Sequence, residues 1–125
     1  MTTRPTRSFK KGIRKWTAAA SLVAAASGVL VHTLGTNRTA TIRRIHIMNN
    51  NPASTEVTFG AGLAGAFVAG DLPPYTCIPG FDRIITEDEI PDNEFTAAIT
   101  ASASVGAAAP DNVQVMIEVE EYPGA

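Results

Sequence analysis

Two histidines, one cysteine and a run of carboxylates are the side chains in this sequence with a capacity for chemistry. His32 and His46 each stand inside a β-rich stretch with no second ligand at useful spacing. A zinc site takes three or four Cys, His or carboxylate ligands, so both read as strand histidines. Cys77 is the lone cysteine. It can form no disulfide within the chain, so the fold does not depend on an oxidising compartment. No histidine or orienting group stands near it in sequence, and it reads as a small buried hydrophobe. The carboxylates Asp82, Glu87, Asp88, Glu89, Asp92 and Glu94 form an acidic cluster. They lack the central glycine and alternating oxygens of a calcium loop, and nothing beside them supplies a pocket, a nucleophile or oxyanion donors. They read first as a solvated acidic turn. The second reading makes Glu87, Asp88, Glu89, Asp92 and Glu94 a docking surface for a basic segment. Gly60-Ala61-Gly62 has the look of a phosphate loop, but Asp71-Leu72-Pro73-Pro74 cannot supply the helix that must follow. The expectation is a non-enzymatic chain without catalytic, cofactor or metal residues.

The stronger signal is the distribution of charge. Residues 1–55 hold nine Lys or Arg and no acid, whereas residues 56–125 hold twelve acids and one base, Arg83. The small net charge of −2 therefore hides a +9 part and a −11 part. Such asymmetry points to interaction surfaces of opposite sign. Arg4, Arg7, Lys10, Lys11, Arg14 and Lys15 with Trp16 form a basic arm over residues 1–16, broken by Pro5 and Gly12. The arm carries too little apolar surface to fold alone, so it is expected to be disordered or ordered by a partner. Trp16, the sole Trp, is its candidate anchor. A positive leader followed by the apolar stretch Thr17 to Val31, with Ala24-Ala25-Ala26 as a cleavage site, would also suit a signal peptide. That stretch is short for a membrane span and is interrupted by Ser21, Ser27 and Gly28. An uncleaved arm is the preferred reading. Phe9 and Trp16 are its only aromatics, which disfavours sequence-specific nucleic-acid readout.

The elements behind these residues are strands. Residues 17–26 are Ala-rich and ambiguous between helix and strand, with an extended segment preferred. Val29 to Leu34 is β-rich, and Gly35-Thr36-Asn37-Arg38 is turn-forming. Thr39 to Met48 is the strongest strand. Ile45 and Ile47 share a face and Ile42 falls on the other, which predicts either a bulge near Arg43-Arg44 or burial on both sides. Thr55 to Phe59 alternates, residues 60–70 read as a loop or weak edge, and Phe81 to Thr86 as a short strand. Phe95 to Ser104 reads as one strand. Asn112 to Tyr122 puts Val113, Val115, Ile117 and Val119 inward and Gln114, Met116, Glu118 and Glu120 outward. The composition, 45% apolar but only 6% aromatic, predicts a thin core of Ile, Val, Leu and a few Phe. About seven or eight short strands without a helix predict an all-β fold. The expected architecture is an antiparallel, jelly-roll-like β-sandwich over residues 17–125 with an extended basic N-terminal arm.

This succession resembles small β-sandwich virion proteins of tailed bacteriophages over roughly residues 17–122. The carriers are Gly28-Val29-Leu30-Val31-His32-Thr33-Leu34, then Asn37-Arg38-Thr39-Ala40-Thr41-Ile42-Arg43-Arg44-Ile45-His46-Ile47-Met48-Asn49-Asn50. Thr55-Glu56-Val57-Thr58-Phe59, a proline-rich middle, Phe95 to Ser104 and the closing Val113 to Tyr122 continue it. The resemblance implies a partner in a capsid or tail and self-association, and the leading expectation is a head decoration or cement protein on the capsid surface. Its partners would be the major capsid protein and copies of itself, a trimer being one arrangement, with neither nucleic acid nor membrane. A neck, collar or tail-associated component is the alternative of the same class. A DNA-facing internal protein and a secreted carbohydrate-binding β-domain are alternatives of other classes. The basic arm departs from the minimal domain of such proteins.

Overall fold

A computed structural model describes residues 12–22, 28–61, 68–70, 72–104 and 113–123. Its strands are β1 (Ile13–Trp16), β2 (Ala20–Leu22), β3 (Val29–His32), β4 (Arg38–Asn49), β5 (Thr55–Ala61), β6 (Val68–Ala69), β7 (Tyr75–Cys77), β8 (Asp82–Ile85), β9 (Ile99–Ala103) and β10 (Val113–Pro123), with one 3-10 turn at Glu87–Glu89. All described pairings are antiparallel. They build two five-stranded sheets. The first runs β1-β10-β4-β8, with β2 also on β10, and the second runs β3-β9-β5-β6, with β7 also on β5.

Two of these edges are interrupted strands. β1 pairs with Glu118–Glu121 and β2 with Val113–Val115 of the same β10. Between them Thr17 keeps contact: its N–H donates to the Ile117 carbonyl at 2.8 Å, and its hydroxyl accepts the Ile117 N–H at 3.1 Å. β6 and β7 share β5 in the same way. Joining each pair leaves eight ribbons in two four-membered sheets. The chain changes sheet at almost every step, and β5 with β6 and β7 is the one local pairing among the described strands. This is the two-sheet jelly roll, in agreement with the fold class expected from the strand pattern.

The core lies between the sheets. Ile42, Ile45, Ile47, Ile85, Val113, Val115, Ile117 and Val119 come from one side, and Val57, Phe59, Ile99, Ala101 and Ala103 from the other. Each fully buried Val, Ile or Phe contributes about 1.5–3 kcal/mol of transfer free energy. Alanines fill the β9 side, so the core is thin where they stand. The bulge at Arg43 is present: Arg44 faces Glu118 and Ile42 faces Val119, leaving Arg43 unmatched between them. The extra residue turns Ile42 inward with Ile45 and Ile47, and all three are buried.

Three segments differ from the sequence expectation. Phe95 is not continuous with β9; it makes an isolated bridge to Ala40 in the first sheet, and the chain then crosses to the second. Tyr75–Cys77, within the proline-rich middle, is a strand on β5. Ile13–Trp16, at the end of the segment assigned to the arm, is the edge strand β1. Residues 20–22 of the ambiguous stretch are extended as β2; residues 23–26 lie outside the described residues.

Candidate functional site

The outer face of the first sheet gathers the opposite charges of the two halves of the chain. β10 alternates, so Glu118 and Glu120 point away from the core, and the β4 bulge swings Arg43 toward them. Arg43 donates from Nε to Glu120 Oε1 at 2.8 Å, from Nη2 to the Tyr122 hydroxyl at 2.7 Å and from Nη1 to Glu87 Oε2 at 3.4 Å. Arg14, from the neighbouring edge strand, donates to Glu120 Oε1 at 3.2 Å and grips both Glu87 oxygens at 3.2 and 3.3 Å. Arg44 lies 3.5 Å from Glu118. Three arginines thus meet three glutamates in a network that is neutral as a whole.

Partial burial would raise the Glu120 pKa, but hydrogen bonds from Tyr122 and Arg43 and the charges of Arg43 and Arg14 outweigh it and hold the carboxyl below its ordinary value. Burial opposes the charge on Arg43, and the bonds to Tyr122 and Glu120 overcome it, leaving its pKa raised. The exposed Arg14 pairs are solvent-screened, where such pairs are worth ~0–1 kcal/mol each. Glu87 is placed by a 3-10 turn that closes on itself: the Glu89 carboxylate accepts from the Thr86 N–H at 3.1 Å and the Thr86 hydroxyl at 3.2 Å.

A second cluster stands at one end of the sandwich. His32 of β3 meets the Glu121 carboxylate of β10 across the two sheets, and Arg38 lies 3.8 Å from the same carboxylate. Beside them Ile13, Lys15, Arg38, Val119 and Glu121 line a cleft of about 230 Å³.

The third feature is the opposite edge, at β8. Ile78, Phe81 and Ile84 are 54%, 60% and 60% exposed. Ile78 and Phe81 line a shallow depression of about 450 Å³ together with Thr76, Cys77, Asp82 and Arg83. Arg83 does not fill it. Its Nη1 donates to the Thr76 carbonyl at 2.6 Å, and its guanidinium stacks 5.9 Å from the Tyr75 ring centroid. His46 Nε2 lies 3.1 Å from Asp82 Oδ2. Cys77 is buried, with Sγ 3.2 Å from the Phe81 carbonyl, and burial followed by the Asp82 charge pushes the thiol pKa up. Among the described residues no group of three His, Cys, Asp or Glu is arranged to hold a metal ion.

The residues singled out in the sequence therefore separate. Arg4, Arg7, Lys10 and Lys11 lie outside the described residues. Arg14 is committed to Glu87 and Glu120, Lys15 lines the end cleft, and Trp16 stands opposite Glu118, 40% exposed. Of the acidic residues Glu87 joins the arginines and Glu89 secures its own turn, while Asp88, Asp92 and Glu94 are exposed. Sequence reasoning did not pick out Arg43, Arg44, Glu118, Glu120, Glu121 or Tyr122 as a site. The signal was there: the outward phase of β10 beside a bulge carrying two arginines.

No family model matches the chain, and no curated protein matches it. Among solved structures, one described as Bacillus endospore appendages, a family of disulfide-linked pili, is similar at 11% identity and a TM-score of 0.49, covering 100% of this chain and 99% of that one. The Drosophila NLP core, described with pentamer formation and histone binding, is similar at 15% identity and 0.45, covering 86% and 97%. The capsid asymmetric unit of cyanophage Pam1 is similar at 16% identity and 0.38, covering 98% and 92%. The strand pairing above defines the fold independently of these likenesses.

Proposed function

We propose that this chain is a structural virion protein, a decoration protein of a tailed-phage head that binds the major capsid protein and copies of itself and catalyses no reaction. The observation that carries this reading is the β8 edge, where Ile78, Phe81 and Ile84 stand in solvent at 54–60% exposure. Exposed apolar side chains at an open sheet edge mark a surface that is covered in use. The neutral network on the adjoining outer face supports the same reading, because it fixes charged side chains in place and leaves few free to repel a neighbour. A jelly roll is a common shell-building scaffold, but a fold alone does not assign a role.

Quantitative mass spectrometry of purified particles tests the proposal. Hundreds of copies per particle are expected. Six or twelve copies would replace decoration by a neck or tail position, and none would remove the virion reading. A wash at ~1 M salt, where charge pairs are strongly screened, should leave the protein on the particle if apolar burial at β8 is the main contact.

A further inference from the structure

The β8 edge also indicates what covers it. Part of the charge asymmetry seen in the sequence is cancelled inside the folded chain: Arg14, Arg38, Arg43, Arg44 and His32 face Glu87, Glu118, Glu120 and Glu121. Among the described acids left facing solvent, Asp82, Asp88 and Glu89 lie on the β8 side, Asp92 and Glu94 follow in the segment after the 3-10 turn, and Glu56 stands on β5 of the other sheet. Asp82 is on β8 itself beside His46, and Asp88 and Glu89 are on the 3-10 turn that follows it, Glu89 also holding Thr86; all three are exposed. Arg83, the one base of residues 56–125, is drawn down onto Thr76 and Tyr75. The edge therefore exposes Ile78 and Phe81 in one depression with Asp82, and Ile84 further along β8. It calls for a short segment carrying one large apolar side chain among cations.

One segment of this chain has that composition. Residues 1–11 contain Arg4, Arg7, Lys10 and Lys11, no acid, and Phe9. We infer that the Ile78, Phe81 and Ile84 edge takes the basic arm, residues 1–11, of a second copy of this chain. Phe9 lies against the apolar side chains, and Arg7, Lys10 and Lys11 face Asp82, Asp88 and Glu89. The inference rests on the self-association part of the proposed function and is independent of the virion part.

Geometry excludes the chain's own Phe9. Ile13 stands opposite Glu121, in the row of Ala40, whereas Ile84 stands opposite His46, six residues further along β4 and three strands away. At ~4.8 Å between strands and ~3.3 Å per residue those points are roughly 24 Å apart. Phe9 is four residues from Ile13, about 14 Å at full extension. Adding an extended segment along an open sheet edge is a recurring recognition mode, with backbone pairing for affinity and side-chain pockets for specificity.

Sedimentation velocity of the full chain and its variants is the test. The wild type is expected to self-associate, and Phe9→Ala, Ile84→Lys and deletion of residues 1–11 are each expected to weaken association at least tenfold. Ile84 is exposed, so its replacement leaves the core intact; circular dichroism checks this. Lys10→Glu with Lys11→Glu should dissociate the oligomer, and adding Asp82→Lys with Asp88→Lys should restore it. In a mixture of Phe9→Cys and Ile84→Cys chains, disulfide-linked heterodimers should form faster than between Phe9→Cys and Leu30→Cys chains. A wild type that stays monomeric, association untouched by Phe9→Ala and Ile84→Lys, or equal cross-linking at Leu30 overturns the inference. So does an arm deletion that abolishes duplex DNA binding while leaving association unchanged. None of these results bears on copy number in the particle, so the virion reading stands or falls separately.

Discussion

Arg43 shows how much one residue can decide. As the unmatched residue of a bulge it leaves the β4 ladder, and its guanidinium reaches Glu120, Tyr122 and Glu87 together. A lysine could not make three directed bonds from one planar group. Glu120 is the acceptor shared by Arg43 and Arg14. Its pKa is depressed in the folded chain, so its contribution to stability is fully present above the unfolded-state value of ~4.3. That contribution is lost as pH falls through the lower folded value. Glu120→Gln is expected to destabilise the protein by about 1–2 kcal/mol at neutral pH. The difference from wild type should shrink as pH drops below about 4. Urea unfolding across that range checks both statements; a gap that stays constant into acid would mean the carboxylate charge contributes nothing.

At the scale of the element, the free edge of β4 is closed by a substitute for a strand. β8 pairs with Ile45–Met48 and Phe95 bridges to Ala40, and residues 41–44 between them have no described strand partner on that side. There the Asn93 side chain takes over. Its Oδ1 accepts the Ile42 N–H at 2.8 Å, and its Nδ2 donates to the Ile42 carbonyl at 3.2 Å. Asn93→Ala leaves both buried backbone groups of Ile42 without the Asn93 side chain and is expected to cost about 2–6 kcal/mol, from ~1–3 kcal/mol per unsatisfied group. Asn93→Asp keeps the acceptor and loses the donor, so it should cost less at low pH, where the carboxyl is protonated. Chemical denaturation of the two variants gives the comparison. The 3-10 turn at Glu87–Glu89 carries the carboxylate that Arg14 and Arg43 share.

Across the whole molecule, sequence neighbours seldom pair. β10, the last strand, lies between β4 and the β1 and β2 edge, so the first and last described segments must meet before the first sheet exists. Loop closure over such separations precedes the contacts that reward it. Folding on the order of milliseconds to seconds is expected. Stopped-flow refolding measures this, and a microsecond phase carrying the full amplitude would contradict the topology. Truncating the last strand should prevent folding, whereas removing residues 1–11 should leave the sandwich intact, because β1 begins at Ile13.

The sequence by itself determined what is local. Alternation with a period of two marked the inward face of Val113, Val115, Ile117 and Val119, and the broken alternation at Ile42 marked the bulge, because side-chain direction in a strand depends only on neighbouring residues. Composition set the thin core, and the run of bases before residue 56 set the polarity of charge. Tertiary structure alone decided which charges meet. Glu118 and Glu120 read as solvent-facing until β4 and β1 bring Arg43, Arg44 and Arg14 beside them. Phe95 and Ile99 read as one strand but belong to opposite sheets. Ile84 and Ile85 are alike in sequence, yet one is buried against Ile45 and the other stands on the open edge. Pairing and register join residues distant along the chain, and that information is absent from any short window of it.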